Sequence, residues 1–321
     1  MQDFGPLVAS VLGVFLVMGI GALCRRVRWL TEEADRTLAN LTANVMLPAY
    51  FVHKFTQGDS FRAVGTVWQP PLLGFATTVI GFAIAFAFAR SVGRWFGLTS
   101  DASQRAFALC VGICNYGYIP LPLAERFYES AVLDLILHNV GVDVALWSVG
   151  IAIISGSGGG DGWKRPLRSG PLWAVLFSIA LHAFDLVGKV PSPVISALGA
   201  LGACAIPLGL LLSGAILVDF VREGTWWQDR KVIVAAIGLR QLVLPALMLG
   251  IGGAVVGQAD LRTVLMLQAA MPAAVFPIVL TKLYDRDTGT ALRVVLWTSI
   301  AGLVLIPSWL AVGGWWLNSA R

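Results

Sequence analysis

The sequence predicts an all-α membrane protein of ten transmembrane helices, and three observations predict it. Of 321 residues, 57% are hydrophobic and only 13% charged, against about 25% charged in a typical soluble domain. The apolar residues gather into runs long enough to cross a bilayer, which takes about 20 residues. Between those runs, Lys and Arg are concentrated in every second connection, as the positive-inside rule requires of cytoplasmic loops.

The ten runs are residues 5–24, 36–54, 68–89, 104–126, 131–154, 171–187, 194–218, 232–256, 260–283 and 290–314. The first has no Lys or Arg before it and is long enough to span, so it reads as a retained helix rather than a cleavable signal. The second contains Asn44 and Pro48, and the fourth is interrupted by Gly117, Pro120 and Pro122. The fifth carries Asn139 and Asp143, and the eighth carries Arg240. The ninth holds Gln268, Pro272 and Pro277. Residues 155–170 contain SGSGGGDG and read as a flexible cytoplasmic linker. Several of the twelve Trp, among them Trp29, Trp68, Trp95, Trp227 and Trp315, sit at the ends of apolar runs, where an amphipathic ring meets the interface.

The basic residues test the count. One set of connections carries Arg25, Arg26, Arg28 and Arg36; then Arg90, Arg94 and Arg105; Lys164, Arg165 and Arg168; Arg222, Arg230 and Lys231; and Lys282, Arg286 and Arg293. The other set carries Lys54, Arg62, Arg126, Lys189, Arg262 and Arg321, and Arg240 lies inside a run. A missed or extra helix would scramble this alternation. The expectation is a multi-pass protein of the inner (plasma) membrane with both termini on the non-cytoplasmic side.

The chain divides into a first five-helix repeat (1–154), the linker (155–170) and a second repeat (171–321). Each repeat has a Pro in its second run, Pro48 and Pro207, and a two-Pro break in its fourth, Pro120/Pro122 and Pro272/Pro277. Because five is odd, the second repeat inserts upside down, the organisation common in secondary transporters.

The net charge of +5 resides in short loops, so it points to topology and the lipid bilayer rather than to nucleic acid. Cys24, Cys110, Cys114 and Cys204 all lie in apolar runs without the ligand set of a zinc site, and read as packing residues. HExxH, GxSxG, Walker A and paired intramembrane Asp in a GxGD context are absent, so the sequence points away from an enzyme and from direct ATP drive. No metal or cofactor is expected.

Pro120 and Pro122 lack amide hydrogens, and the pair Pro272 and Pro277 repeats the pattern. The fourth and ninth runs should each become two half-helices joined by extended backbone, which survives at membrane depth only where it is buried in protein or lines a cavity. Two second half-helices starting near the midplane would aim their positive ends at an anion. Asn115, Tyr116 and Gly117 flank the first break, and Gln268, Phe276 and the Pro residues flank the second. Asn115 and Gln268 are candidates to hydrogen-bond a ligand or to satisfy freed backbone. Tyr116 and Tyr118 read as packing or cavity wall. Asp143 is a candidate proton relay or cation ligand, with Asn139 beside it; Arg240 is a candidate for holding a carboxylate. The alternatives are that Asp143 and Arg240 pair, or that Arg240 snorkels to the cytoplasmic face. Asn44 and Pro48 are candidate wall residues. His53, His138 and His182 are scattered and suggest no site.

Asn115-Tyr-Gly-Tyr-Ile-Pro-Leu-Pro-Leu123 resembles the N-x-G-x-x-G-x-P stretch of the auxin efflux carrier family and its bacterial members. Gln268-Ala-Ala-Met-Pro272, Pro277 and Lys282-Leu-Tyr284 are similar to its ninth helix, and Asn44-Val-Met-Leu-Pro48 to its second. The resemblance implies ten helices in two inverted repeats, with helices 4 and 9 crossing at their breaks and a substrate near the crossing, an arrangement like that of bile-acid/sodium symporters. It implies transport of organic anions, auxin in plants and dicarboxylates such as malate or malonate in bacteria, with Asn115, Pro122, Pro272 and Pro277 at the site. Two residues depart from the pattern. Pro120 stands where Gly is usual, and Phe276 stands where many bacterial members have a polar residue, which implies a more apolar ligand. The long cytoplasmic loop of plant carriers is replaced by the linker.

The expected function is alternating-access transport of a small organic anion, facilitated or coupled to H+ or Na+. The competing reading is a membrane sensor or scaffold that binds without flux. A homodimer is compatible with the sequence, which sets no oligomeric state.

Overall fold

The computed structural model describes residues 4–57, 66–156, 167, 169–222 and 227–319. Most of the expected linker, with Lys164, Arg165 and Arg168, lies outside the described residues, as do Arg62, Trp226 and Arg321. Among the described residues there is no β-strand, and the secondary structure is helical throughout.

The helices are α1 (Phe4–Arg26), α2 (Glu32–Leu41, continuing through Thr42–Met46 to Leu47–Gln57), α3 (Gln69–Ser91), α4 (Asp101–Gly112), α5 (Pro120–Phe127) and α6 (Glu129–Ser155). There follow α7 (Gly170–Ala183), α8 (Ser192–Ala203 and Ala205–Arg222), α9 (Arg230–Gly238, Leu239–Val243 and Leu244–Val255), α10 (Ala259–Ala270), α11 (Phe276–Leu283) and α12 (Thr288–Ser319). Helices α2, α6 and α9 each widen into one π-helical turn, at Thr42–Met46, Leu146–Gly150 and Leu239–Val243.

Six of these helices, α1, α3, α6, α8, α9 and α12, are long and apolar enough to cross a membrane. The other four expected runs fall on broken or shorter helices. Residues 104–126 and 260–283 are each split into two short helices. Helix α7 is short, and α2 begins earlier than expected with a polar turn of Glu32, Glu33 and Asp35. Acidic residues suit a helix N-terminus, where the peptide dipoles leave partial positive charge. Outward-facing side chains such as Leu16 and Val304 are about two-thirds exposed, as a lipid-facing surface allows.

The helices pack in two groups. Helix α1 lies along Ala205–Arg222 of α8, and Leu47–Gln57 of α2 packs on α7 and on Ser192–Ala203. In the other group, α3 packs on α4 and α6, α9 on α10 and α12, and α12 on α4. Contacts between the groups are sparser and involve α1 and α8 with α12, and α2 and α7 with α6. Within the groups helices approach closely, as at α1 and α8, where a Cβ on Gly214 would fall 1.8 Å from the Met18 carbonyl oxygen. Only a hydrogen fits there, and small residues are what let membrane helices come this close.

Polar contacts tie helix ends together in two sets. Arg25 joins Asp35 and Asp219, and Asp101 joins Arg90, Arg105 and Arg286. Arg105 and Arg286 also donate to the carbonyls of Ile153 and of Ile154 and Ser155, capping the C-terminus of α6. Every one of these ends belongs to the arginine-rich set of connections. At the opposite ends Lys54 pairs with Glu125 (2.6 Å), Ser130 donates to Asp260 (2.9 Å) and Gln258 to Gln69 (2.7 Å).

Substituting Gly214 by Leu should drive α1 and α8 apart and destabilise the protein by about 1–3 kcal/mol, read as a lower melting temperature of the purified protein in detergent; an unchanged melt would refute the close packing. Asp101 is held below the ordinary carboxylate range by its hydrogen bond from Arg105, and further by Arg90. A depressed carboxylate stabilises the fold above its unfolded value of about 3.9, and that contribution is lost as the pH falls through the folded value. Asp101→Asn should therefore lower stability at neutral pH by less than ~1 kcal/mol for this half-exposed group. The gap between variant and wild type should close in acid.

Candidate functional site

The two breaks cross one another. Met271 precedes Pro272, which disfavours helical backbone there, and its ψ of 142° ends α10 in extended conformation. Ile113 likewise leaves α4 with φ −115° and ψ 133°. Residues 113–119 and 271–275 are thus free of helix, and they meet as an antiparallel bridge between Cys114 and Ala273. The Asn115 amide donates to the Pro272 carbonyl (2.8 Å) and the Ala274 amide to the Ile113 carbonyl (3.3 Å). Each broken segment thereby supplies the partners that the other lost, as buried peptide groups require. The Ala273 amide donates to Thr298 Oγ1 of α12 (3.2 Å).

Helices restart immediately beyond the crossing. Pro120 opens α5, and Pro277 is the second residue of α11, positions where a missing N–H removes no helical hydrogen bond. The Asn115 side-chain oxygen accepts from the Ile119 amide (3.4 Å), at the entry to α5. Both second half-helices thus present their N-termini, and their partial positive charge, beside the crossing.

Gln268 is fully buried and organises the polar side chains. Its Nε2 donates to the Tyr116 carbonyl (3.1 Å) and to Asn139 Oδ1 (3.0 Å), while its Oε1 accepts from Cys114 Sγ (3.0 Å). The Tyr116 hydroxyl donates to Asp143 (2.5 Å), one turn along α6 from Asn139. The first break, α6 and α10 are stitched together by this set. It joins Cys114, Tyr116, Gln268, Asn139 and Asp143 in one place.

Arg240 also lies at the crossing but bonds backbone rather than this set of side chains. It is 2% exposed, and its guanidinium donates to the carbonyls of Met271 (3.2 Å), Val111 (3.4 Å) and Gln268 (3.4 Å). These belong to the C-terminal ends of α4 and α10, so Arg240 lies on the side of the crossing away from α5 and α11. Asp143 and Arg240 form no ion pair among the described residues; each has the other partners just named. Cys114, Thr77, Thr78 and His138 line a crevice beside Arg240 with room for about one water molecule.

Phe276 is 44% exposed and packs edge-on against Trp147 at 5.7 Å between ring centroids. Asn44 is exposed and bonds the Asn40 carbonyl, and Asn44 and Pro48 both lie against Gly170 at the start of α7. They belong to the contact of α2 with α7. Gly117 has open space where a Cβ would stand.

Two participants, Cys114 and Thr298, escaped the sequence reading. Cys114 was expected only to pack, and a Thr such as Thr298 in an apolar helix carries no distinctive signal. Tyr118, expected as wall, reaches α8, with its ring filling the space over Gly209. Only the crossing brings these partners together. Replacing Gln268 by Leu should leave Asn139 and the Tyr116 carbonyl buried without a donor, destabilising the protein by about 1–3 kcal/mol for each orphaned group. Thermal denaturation of the variant checks this, and a wild-type melt would refute the network.

The profile of the family described as "Membrane transport protein" matches residues 6–162 and 160–310, two segments that meet in the Gly-rich linker. An uncharacterized transporter of Methanothermobacter thermautotrophicus is 25% identical over 311 residues, spanning 94% of this chain and 97% of that protein. An uncharacterized transporter of Methanocaldococcus jannaschii is 22% identical over 311 residues, spanning 95% and 97%. A family match over nearly the whole length, on a multi-pass helical chain whose broken segments cross, identifies the protein as a member of the membrane transport protein family, that of the auxin efflux carriers.

Proposed function

We propose that this protein is a secondary transporter, not an enzyme, that carries a small organic anion of auxin-like or dicarboxylate-like chemistry by alternating access. The observation that carries the reading is the crossing itself. Two N-terminal half-helix ends, each worth roughly half a positive charge, begin just beyond the crossing at Pro120 and Phe276. Together they suit a carboxylate. Asn115 stands at this entry with its oxygen engaged by the Ile119 amide, which leaves the NH2 group to a ligand. The exposed face of Phe276 and the ring of Trp147 offer an apolar wall.

The ten-helix inverted repeat is part of the same proposal. Its support is the recurrence of contacts in matching positions. The contacts of α3 with α6 and with α4 are echoed by those of α9 with α12 and with α10, and the contact of α2 with α7 by that of α8 with α1. The arginine-rich helix ends gathered on one side favour that side as cytoplasmic, with both termini on the other. The sparse contacts between the two helix groups favour sliding or rocking of one group against the other, the motion by which alternating access is achieved. Asp143, hydrogen-bonded to Tyr116 at the break, is the proton-accepting candidate for coupling.

The test is uptake of radiolabelled malate, malonate and indole-acetate into liposomes containing the purified protein, with and without an imposed proton gradient. Wild-type protein should accumulate at least one of them. Asn115→Ala should lose about tenfold in uptake at limiting substrate, the equivalent of one good hydrogen bond. Asp143→Asn should retain binding and lose the response to the proton gradient. Binding without flux would instead make the protein a sensor or scaffold with a transporter fold.

A further inference from the structure

A buried cation normally has a carboxylate partner, because an isolated charge out of water is very unfavourable. Arg240 is buried at the crossing and among the described residues has no acidic partner within ion-pair distance. Its partners are three backbone carbonyls, Val111, Gln268 and Met271, from the C-terminal ends of two half-helices of twelve residues each. Each such end carries about half a negative charge, so two converging ends present roughly −1 to one guanidinium. The charges balance without any carboxylate.

Carbonyl oxygens at unwound backbone and half-helix C-termini are also the donor set that holds Na+ at the midplane of transporters with broken helices, and hard cations take oxygen ligands generally. Here that donor set is occupied by a side chain of the protein's own α9. We propose that Arg240 is a resident cation at the crossing: it takes the place a coupling sodium ion would need, holds the two half-helices together, and makes the protein's stability and its transport independent of sodium. Arg240 is thus a positioning residue that fixes the crossing and touches no substrate. The stability consequence stands on the geometry alone, and the transport consequence rests on the carrier reading above.

The first experiment is thermal denaturation of purified protein without substrate, in NaCl and in choline chloride. Wild-type melts should coincide. Arg240→Ala should melt lower by about 5 °C or more, and millimolar guanidinium or Na+ should restore part of that loss in the variant while leaving wild type unmoved. Should Arg240→Ala fail to fold, Arg240→Lys, which keeps the charge, should remain folded while Arg240→Met, of similar reach without charge, melts lower still. A wild-type melt raised by Na+ would overturn the proposal. So would an Arg240→Met variant as stable as wild type, or an Arg240→Ala loss that no cation relieves. In liposomes, uptake should be the same with Na+ or choline outside. Uptake that requires Na+ would also overturn it, whereas absence of all flux with the expected melts would count against the carrier reading and leave the resident cation standing.

Discussion

Unwound backbone inside a membrane protein must find every hydrogen-bond partner within the protein, and the rest of this structure is arranged around that requirement. Breaking two helices frees amides and carbonyls at a depth where water does not supply partners. The breaks satisfy one another through the antiparallel bridge at Cys114 and Ala273. What the bridge leaves over is taken up by side chains: Thr298 of α12 accepts from the Ala273 amide, Arg240 of α9 donates to the Met271 carbonyl, and Gln268 of α10 donates to the Tyr116 carbonyl. Orphaned peptide groups at such depth cost several kcal/mol each, so the breaks are held in place by need as much as by attraction.

The crossing also sorts charge. On one side two helix C-termini converge, and a guanidinium lies between them. On the other, two helix N-termini begin with Pro120 and Phe276, and the side chains nearest them are neutral amides, aromatics and one carboxylate, Asp143. The negative ends are answered by the protein's own residue, whereas the positive ends lie on the other side, where the Tyr118 ring reaches α8. This asymmetry follows from helix direction alone, because the dipole of each half-helix reverses sign across its break.

The two helix groups are built differently at their contacts. Within a group, small residues let helices touch backbone to backbone, as Gly214 does at α1. Between groups the contacts are fewer and rest on side chains, such as the Tyr118 ring over Gly209 and the Lys54–Glu125 pair, which Tyr50 also joins by a hydrogen bond to Glu125. Side-chain contacts of this sort exchange partners more readily than interlocked backbones, so the boundary between the groups is where the structure is least constrained.

What the sequence by itself determined is what local chemistry controls. Apolar runs long enough for a bilayer set the helical class. Proline removed amides at Pro120, Pro272 and Pro277, which lie where helices end or begin, and the alternation of arginine sorted the helix ends into the two sets that the structure ties together. Asn115, Gln268 and Asp143 were legible as polar groups that an apolar helix would not hold without reason. The tertiary structure alone decided what those groups touch. Arg240 stood in the sequence as a candidate to hold a carboxylate, to pair with Asp143 or to snorkel, and only the crossing revealed that it bonds carbonyls at two helix ends. Asn44 and Pro48 carried the same signal as Asn115 yet pack against α7. Cys114 and Thr298 gave no signal, because the partners that make them polar participants lie 154 and 25 residues away in the chain. A charge or an amide announces its presence locally, whereas its partner is set by long-range packing that no local pattern encodes.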